Sequence, residues 1–303
     1  MAGPRRGFDI PATSAPALLD QQHVVSFAEL ATFCDQFDAV LDDAGVEPGA
    51  TVASSVDSDL IGAATSVAAL CNHTYAPQNP SLRRGQLAER FRQLGAAAVI
   101  VGPQTGDRAL EVAQDACLAV VRVDLDQGVP RAQLVDPLQR SGLPRRPDIR
   151  LVLHTSGTTG DPRMVPIDDA NLAHSLESMT TLFQIGDADR SLVVMPLFHI
   201  HALMASLLVP LSAGAAVAAP GLYDAPAFLG WLSSLEPTYY SAVPTVHHSV
   251  VDRVRAHPHE LGHHRLRFVR SSSAALGPKA VQDLEDVLGV PVLEGYAMTE
   301  ATS

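Results

Sequence analysis

Apolar side chains recur along the chain with two alternating periods, one helical and one strand-like. Residues 27–44 carry apolar side chains at three- and four-residue spacing, and residues 51–55 form a short apolar run after a Pro-Gly pair. The same succession continues with helical segments at 60–71, 86–94 and 107–116 and strand-like runs at 97–101 and 118–123. This alternation predicts a mostly parallel sheet covered by helices.

A second set of alternating segments follows residues 124–148, a proline-rich and charged stretch that we interpret as a surface connection between two halves. The strands predicted beyond it are 151–154, 192–195, 215–219, 239–243, 266–271 and 292–294. The helices predicted between them are 170–183, 201–212, 225–234, 246–256 and 278–288. The fold prediction is therefore α/β, with two packed α/β subdomains at 1–148 and 149–303, each with a mostly parallel sheet.

Composition narrows the class of protein further. A net charge of −12 over 303 residues offers no basic surface for a phosphate backbone, so we expect no nucleic-acid partner. The three cysteines form no Cys-x-x-Cys pair, and the N-terminus carries no continuous apolar stretch, which together favour a cytoplasmic protein. Residues 191–220 are almost uncharged and long enough to span a bilayer, but prolines and histidines interrupt them. They predict a buried α/β unit and no membrane span.

The polar loop after residues 151–154 carries the clearest chemistry. Its glycines let backbone amides approach an anion, its hydroxyls donate hydrogen bonds, and a guanidinium adds positive charge. Only two residues separate Gly157 from Gly160 and no Gly-Lys-Ser/Thr follows, so the loop is not a Walker A motif. The composition predicts a polyphosphate cradle, with a polar turn between a strand and a helix as the alternative. The candidate residues are Thr155, Ser156, Gly157, Thr158, Thr159, Gly160 and Arg163.

The order of these residues resembles a known family signature. Thr155-Ser-Gly-Thr-Thr-Gly-Asp-Pro-Arg163 is similar to the phosphate loop of the adenylate-forming superfamily of acyl-CoA synthetases, nonribosomal adenylation domains and luciferases. Met195-Pro-Leu-Phe-His-Ile-His201 resembles the segment that supplies its pocket-gating residue. Ser271-Ser-Ser-Ala-Ala-Leu276 and Gly295-Tyr-Ala-Met-Thr-Glu300 resemble its adenine- and phosphate-contacting motifs. Several motifs in the family's order are more specific than any one of them, and a looser similarity extends over the first part of the chain.

This resemblance implies a reaction and a set of residue roles. Family members activate a carboxylate with ATP as an acyl-adenylate and then form a thioester with coenzyme A, using Mg²⁺. The implied catalytic residues are His199, Thr299 and Glu300, with Thr299 at the α-phosphate and Glu300 as the Mg²⁺ ligand. The loop hydroxyls would hold the β- and γ-phosphates, and Tyr296 would flank adenine. The other nucleotide-binding positions that the resemblance implies are Ser273, Ala274, Ala275, Gly295, Ala297, Met298 and Thr299.

The resemblance constrains the acid substrate less than it constrains the reaction. Residues 194–201, 266–272 and 293–301 are most similar to oxalate–CoA ligases and related acyl-CoA synthetases, which makes oxalate or another small acid the candidate. A small dicarboxylate keeps one charged end inside its pocket and requires hydrogen-bond donors there. The candidate substrate-binding residues are His199, His201, Ser271, Ser272 and Ser273. The alternative is that these side chains only pack.

Six further histidines lie close together in the sequence without a clear metal-ligand pattern, and we interpret them as solvated surface. They are His247, His248, His257, His259, His263 and His264. Glu300 is the only metal ligand that we expect.

Some positions depart from the family pattern. Arg163 replaces the usual lysine, Met164 replaces a common glycine, and Ala202 replaces another. The resemblance also implies a β-rich subdomain and a mobile, lysine-bearing C-terminal domain beyond Glu300, which we expect to be absent from these residues or carried by a separate chain. Two alternatives to a complete ligase remain open. One is a non-catalytic remnant or nucleotide-binding module, and the other is an acyl-AMP ligase or adenylation domain that loads a carrier protein.

Overall fold

The computed structural model describes residues 10–104, 107–141, 143–144, 146, 148–155 and 162–302. The chain divides into two compact units. The first comprises the residues up to Ala15, Val25–Asp57 and Ile61–His174. The second comprises Pro16–Val24, Ser58–Leu60 and the residues from Ser175 onward.

Strands and helices alternate along most of the chain. The strands are β1 Pro16–Leu19, β2 Val24–Ser26, β3 Thr51–Ser55, β4 Thr74–Pro77, β5 Ala98–Val101, β6 Ala119–Asp126, β7 Val129–Asp136, β8 Ile149–His154, β9 Met164–Asp168, β10 Arg190–Leu192, β11 Ala216–Ala218, β12 Tyr239–Ala242, β13 Phe268–Ser272 and β14 Val292–Gly295. The helices are α1 Phe27–Asp43, α2 Leu60–Asn72, α3 Arg84–Leu94, α4 Asp107–Asp115, α5 Asp169–Phe183, α6 Ile200–Ala202, α7 Val209–Ser212, α8 Ala225–Ser234, α9 Pro244–Ala256 and α10 Pro278–Leu288. Short 3₁₀ turns lie at Pro258–Glu260 and Thr299–Ala301.

The first sheet has seven strands in the order β7-β6-β5-β3-β4-β8-β9. Its central pairs are parallel, as in the register of Val52 with Ala98, and the two outer pairs β6-β7 and β8-β9 are antiparallel. Every residue of β3, β4 and β5 is buried, as expected for parallel strands that are covered on both faces. The prediction of a mostly parallel α/β architecture is confirmed here.

The predicted surface connection at 124–148 was wrong over its first part. Strand β6 continues to Asp126, and β7 returns antiparallel beside it after a two-residue turn. Gln127 and Gly128 both have positive φ, 52° and 84°, which is the backbone that a tight hairpin turn requires. Buried and exposed residues alternate only from Pro130 to Gln133, and the next two residues are exposed, as suits the edge strand of the sheet. The proline and the polar residues concealed this strand in the sequence.

The first unit extends past residues 148/149, where the sequence placed the boundary. Strand β8 pairs parallel with β4 through Tyr75 and Leu151, and β9 pairs antiparallel with β8. These pairings hold residues 149–174 in the first unit.

The second sheet has seven strands in the order β14-β13-β12-β10-β11-β1-β2. The pairs from β14 to β1 are parallel, so the carboxyl ends of β12, β13 and β14 lie side by side at one edge. Helices α8, α9 and α10 supply an apolar layer whose buried side chains include Phe228, Leu232, Val250 and Leu284. In open parallel sheets this carboxyl edge is the usual place for a ligand.

Residues 200–212 form a helical stretch that is buried from Ile200 to Leu211. Between α6 and α7 it is π-helical at Leu203–Leu208, where Val209 N donates to Met204 O, five residues earlier. The next residue, Pro210, has no N–H to donate and disfavours a regular α-helix at this point. Burial explains why the stretch is uncharged, and no helix among the described residues is long and apolar enough to cross a membrane.

Candidate functional site

The two ends of the predicted polyphosphate loop are joined by hydrogen bonds. Thr155 N donates to Arg163 O at 3.0 Å, and Arg163 N donates to Thr155 Oγ1 at 3.1 Å. The loop therefore closes a hairpin between β8 and β9 and does not lead directly into a helix. The remaining candidates of this loop lie outside the described residues: Ser156, Gly157, Thr158, Thr159 and Gly160.

His154, the last residue of β8, lies next to this loop and was not singled out from the sequence. Its Nε2 atom is buried and has no hydrogen-bond partner among the described residues. Burial, with a smaller contribution from the nearby charge of Arg90, lowers the pKa of His154 to about 4. Arg90 also donates from Nη1 to Pro162 O at 3.4 Å. A polar residue that ends an apolar strand directly before a polar loop was the signal that could have identified His154.

In the second unit, the ends of β13 and β14 surround a cavity of about 450 Å³. Parallel pairing aligns Ser272 with Gly295, so the segments that follow the two strands lie side by side. The residues lining the cavity are Ser271, Ser273, Ala274, Ala275, Glu294, Gly295, Tyr296 and Ala297. The structure therefore brings together most residues of the two predicted nucleotide-binding motifs. Leu276, which ends the first segment, and Glu294, which precedes the second, are 18 positions apart in the sequence.

Tyr296 presents its ring to solvent at the mouth of this cavity. Its side chain is 90% exposed, and its hydroxyl donates to Met298 Sδ at 3.9 Å. Because its side chain is exposed, Tyr296 does not have the packing role of a core tyrosine. Its face is available for stacking on a flat ligand.

Thr299 and Glu300 begin the 3₁₀ turn at Thr299–Ala301, directly after Met298. The Glu300 side chain is exposed. In the part of the chain that the structure describes, no cation forms an ion pair with it. A free carboxylate beside a hydroxyl is an oxygen donor set that suits Mg²⁺, so these residues fit the ion that the resemblance implies.

The two histidines predicted together, His199 and His201, have different environments. His201 is only 4% exposed; its Nδ1 lies 3.0 Å from Ser273 Oγ and its Nε2 lies 2.6 Å from Ser241 Oγ. Burial, with a smaller contribution from the charge of Arg270, lowers the pKa of His201 to about 3, so the ring is neutral at pH 7. His199 is exposed, precedes α6 without a capping hydrogen bond from its side chain, and contacts the ring of Phe198.

Arg270 on β13 is a buried cation that the sequence did not single out. It is 5% exposed, and its Nη1 donates to Ser241 Oγ at 3.2 Å while Cζ lies 5.5 Å from the Phe183 ring centroid. No carboxylate among the described residues forms an ion pair with it, and its Nε has no partner there. Burial lowers the pKa of Arg270 to about 10, which leaves it charged at pH 7.

Gly295 is adjacent to this cation. A Cβ atom at position 295 would lie 2.9 Å from Arg270 Nη2 and 3.3 Å from Cζ. Only glycine therefore lets the backbone of β14 approach the guanidinium this closely. The contact connects a motif glycine to a residue for which the sequence predicted no role.

The interpretation of the six additional histidines as solvated surface was wrong for His247. That side chain is buried on α9, where its Nε2 donates to Ala242 O at 3.1 Å. Its burial arises because the apolar face of α9 packs on the sheet. His257, His259 and Glu260 have potential ligand atoms within 4.8 Å of one another, but Glu260 is already paired with Arg253.

The chain belongs to the family of AMP-binding enzymes, whose model matches residues 11–303. This confirms the family resemblance, and the two mostly parallel sheets agree with it. It is 46% identical over 157 residues to an oxalate–CoA ligase of Arabidopsis thaliana, a match that covers 51% of this chain and 30% of that protein. An oxalate–CoA ligase of Saccharomyces cerevisiae is 35% identical over 167 residues, covering 55% of this chain and 30% of that protein.

Among solved structures, a malonyl-CoA ligase with methylmalonyl-CoA and AMP bound superposes with a TM-score of 0.76 and 26% identity. The alignment covers 96% of this chain and 60% of that chain. These matches span between 30% and 60% of the length of the relatives.

Proposed function

We propose that the protein uses ATP to activate a small carboxylic acid and then forms its coenzyme A thioester. A carboxylate oxygen attacks the α-phosphorus of ATP and pyrophosphate leaves; the thiol of coenzyme A then attacks the acyl carbon, loses its proton, and AMP leaves. The observation that carries this proposal is the cavity at the carboxyl edge of the second sheet, lined by two motifs of the AMP-binding family.

Each described residue has a role in this proposal. The adenine ring lies against Tyr296 and the backbone at Ser273–Ala275, because an exposed ring and a polar backbone edge suit a flat heterocycle. Thr299 donates to the α-phosphate. The loop between Thr155 and Arg163 remains our candidate for the contacts with the β- and γ-phosphates, because its composition of glycines and hydroxyls suits an anion.

Glu300 would hold Mg²⁺, and the bound ion would supply positive charge to the phosphates. The free carboxylate of Glu300 is the structural support for this assignment. His199 remains our candidate for the pocket-gating residue, since it is exposed and precedes the buried helix α6.

Oxalate is the first acid to test. Two relatives are named for it, and the malonyl-CoA ligase is named for another small diacid. The hydroxyls of Ser271 and Ser273 line the cavity and are the candidate donors to the second carboxylate of such an acid, with His201 behind Ser273, because a charged end needs donors and not an apolar tunnel. A cytoplasmic location and a possible separate chain that carries the C-terminal domain remain parts of this proposal.

The test is acid-dependent exchange of labelled pyrophosphate into ATP, measured with the natural translation product that contains this chain. Oxalate, malonate, acetate and a medium-chain acid are compared, and thioester formation is then measured with coenzyme A. We expect exchange and thioester with a small diacid. ATP binding without exchange for any acid would favour the nucleotide-binding module, and exchange without coenzyme A thioester would favour a carrier-protein acceptor.

A further inference from the structure

Four polar side chains of the second unit form a continuous chain of hydrogen bonds that starts at a buried cation and ends at the cavity. Arg270 Nη1 lies 3.2 Å from Ser241 Oγ, which lies 2.6 Å from His201 Nε2. His201 Nδ1 lies 3.0 Å from Ser273 Oγ, and Ser273 lines the cavity. Ser241 and His201 are buried, whereas Ser273 is exposed.

The direction of these hydrogen bonds follows from the donors available. A guanidinium only donates, so Ser241 Oγ accepts from Arg270. The neutral ring of His201 carries one proton. If that proton were on Nε2, Ser241 Oγ would accept twice and its own buried O–H would have no acceptor among the described residues, which costs about 1–3 kcal/mol. With the proton on Nδ1, Ser241 donates to Nε2 and His201 donates to Ser273, so the Ser241 hydroxyl and both ring nitrogens of His201 are paired.

Ser273 then accepts from His201 and keeps its own O–H free to donate into the cavity. The dipoles of the chain all point from the buried positive charge towards the cavity, which favours a negative group there. Glu294 lines the same cavity with a carboxylate that already accepts from Leu276 N at 3.0 Å. Ser271 also lines the cavity with an unpaired hydroxyl, but among the described residues only Ser273 receives a hydrogen bond from the chain that begins at Arg270.

The backbone at Ser273 is a second, independent sign of a constrained site. Its φ is +72°, in the left-handed region that a non-glycine residue seldom adopts. Such a conformation costs roughly 1–3 kcal/mol and is found where a side chain must be held in one place. Here it directs the Ser273 hydroxyl to His201.

We propose that Arg270, Ser241 and His201 are positioning residues that orient the Ser273 hydroxyl as a donor to an anionic oxygen of the ligand in this cavity. The inference rests on the proposed function for the ligand, which supplies two such oxygens, on the nucleotide phosphate and on the acid carboxylate. The shared chemistry is an oxyanion that accepts one charge-assisted hydrogen bond.

The first test is spectroscopic and needs no ligand. The ¹⁵N chemical shifts of the His201 ring, measured in the intact protein, report which nitrogen carries the proton. We expect a protonated Nδ1, and Ser241→Ala should abolish the preference. A protonated Nε2 in the wild type would overturn the proposal.

The second test measures binding of AMP, adenosine and oxalate by calorimetry, oxalate being titrated with nucleotide present. The variants are Ser273→Gly, Arg270→Met and their double variant, with Arg265→Met as the control for loss of a positive charge at an exposed residue. Glycine is chosen at 273 because it adopts positive φ without strain. Arg270→Lys keeps a positively charged donor and should retain part of the affinity that Arg270→Met loses.

We expect Ser273→Gly and Arg270→Met each to weaken one anionic ligand about tenfold, with adenosine within about twofold, as for one hydrogen bond to a charged group. The double variant should be no more than about twofold weaker than Ser273→Gly, because both changes act through one donor. Weaker AMP binding assigns the donor to the phosphate, and weaker oxalate binding alone assigns it to the carboxylate. Full additivity, or equal losses for adenosine, would overturn the proposal. Wild-type protein that binds none of the ligands contradicts the proposed function, while the ring-nitrogen measurement still decides the hydrogen-bond chain.

Discussion

The loop between β8 and β9 and the carboxyl edge of β12–β14 hold their polar groups by different means. At the loop ends, Thr155 and Arg163 are joined mainly through backbone atoms a few residues apart. At the sheet edge, Arg270, Ser241 and His201 are buried side chains from distant parts of the sequence. A local motif therefore specifies the first region, whereas the second depends on tertiary packing and is more sensitive to changes of its buried residues.

The largest effect that we expect is a loss of catalytic activity when the carboxyl edge of β12–β14 is changed. Glu300→Gln removes the proposed Mg²⁺ ligand and should reduce pyrophosphate exchange about 10²–10³-fold, the usual loss when one charge-stabilising group is removed. Glu177→Gln, an exposed acid on α5 of the same unit, is the matched control. If Glu300→Gln exchanged pyrophosphate within a few-fold of the wild-type rate, Glu300 would not be the proposed Mg²⁺ ligand.

Two histidines separated by one residue provide the next test. His201→Phe leaves the Ser241 hydroxyl without its acceptor and should lower the free energy of unfolding by about 2–3 kcal/mol. His199→Phe changes an exposed side chain and should stay within about 0.5 kcal/mol. Urea titrations measure both, and equal losses would show that burial does not distinguish the two histidines.

The buried histidines of the second unit also predict a pH dependence. The folded-state pKa of His201 is about 3 and that of His247 about 4, both lowered first by burial, whereas an unfolded histidine titrates near 6.5. The unfolded chain binds more protons between these values, so stability is complete above about pH 6.5 and falls as the pH is lowered, by about 1.4 kcal/mol per pH unit for each histidine. Urea titrations from pH 7.5 to 4.5 should show a smaller slope in His201→Gln, with His248→Gln as the exposed control; an unchanged slope would contradict the assignment.

A smaller effect is expected at the loop ends. Thr155→Val removes the hydroxyl that accepts from Arg163 N and should weaken ATP binding several-fold, consistent with about 1 kcal/mol for a partly exposed hydrogen bond. The isosteric control is Thr245→Val on the exposed side of α9. ATP titrations compare the two, and an undiminished affinity in Thr155→Val would show that this bond does not order the loop.

The smallest expected effect is on stability at Ser273. Ser273→Gly relieves a φ of +72° but loses the hydrogen bond with His201. These changes offset one another, so the free energy of unfolding should shift by no more than about 0.5 kcal/mol. Thermal and urea unfolding measure it. A loss above about 2 kcal/mol would mean that Ser273 serves the fold more than the ligand.

The sequence predicted most of the buried strands because their apolar runs are continuous, as at β5 and β12. It missed β1, β2, β4, β7 and β9. Three of these, β2, β7 and β9, are edge strands, and exposed positions and prolines weaken the signal of β7 and β9. The interior strands β1 and β4 have only four residues each, which is too short for a clear period. It also assigned both His199 and His201 to substrate binding. A motif does not indicate which of two neighbouring residues will be buried.

By itself, the sequence determined the family, the alternating α/β order and the motifs around the cavity, because each depends on residues close together along the chain. The tertiary structure alone decided that Arg270 lies against Gly295 and reaches Ser241. It also decided that His201 is buried and neutral, and that Ser273 receives its hydrogen bond. These are pairings between strands and helices far apart in sequence, and their energies come from burial and hydrogen-bond geometry, which a linear pattern does not encode.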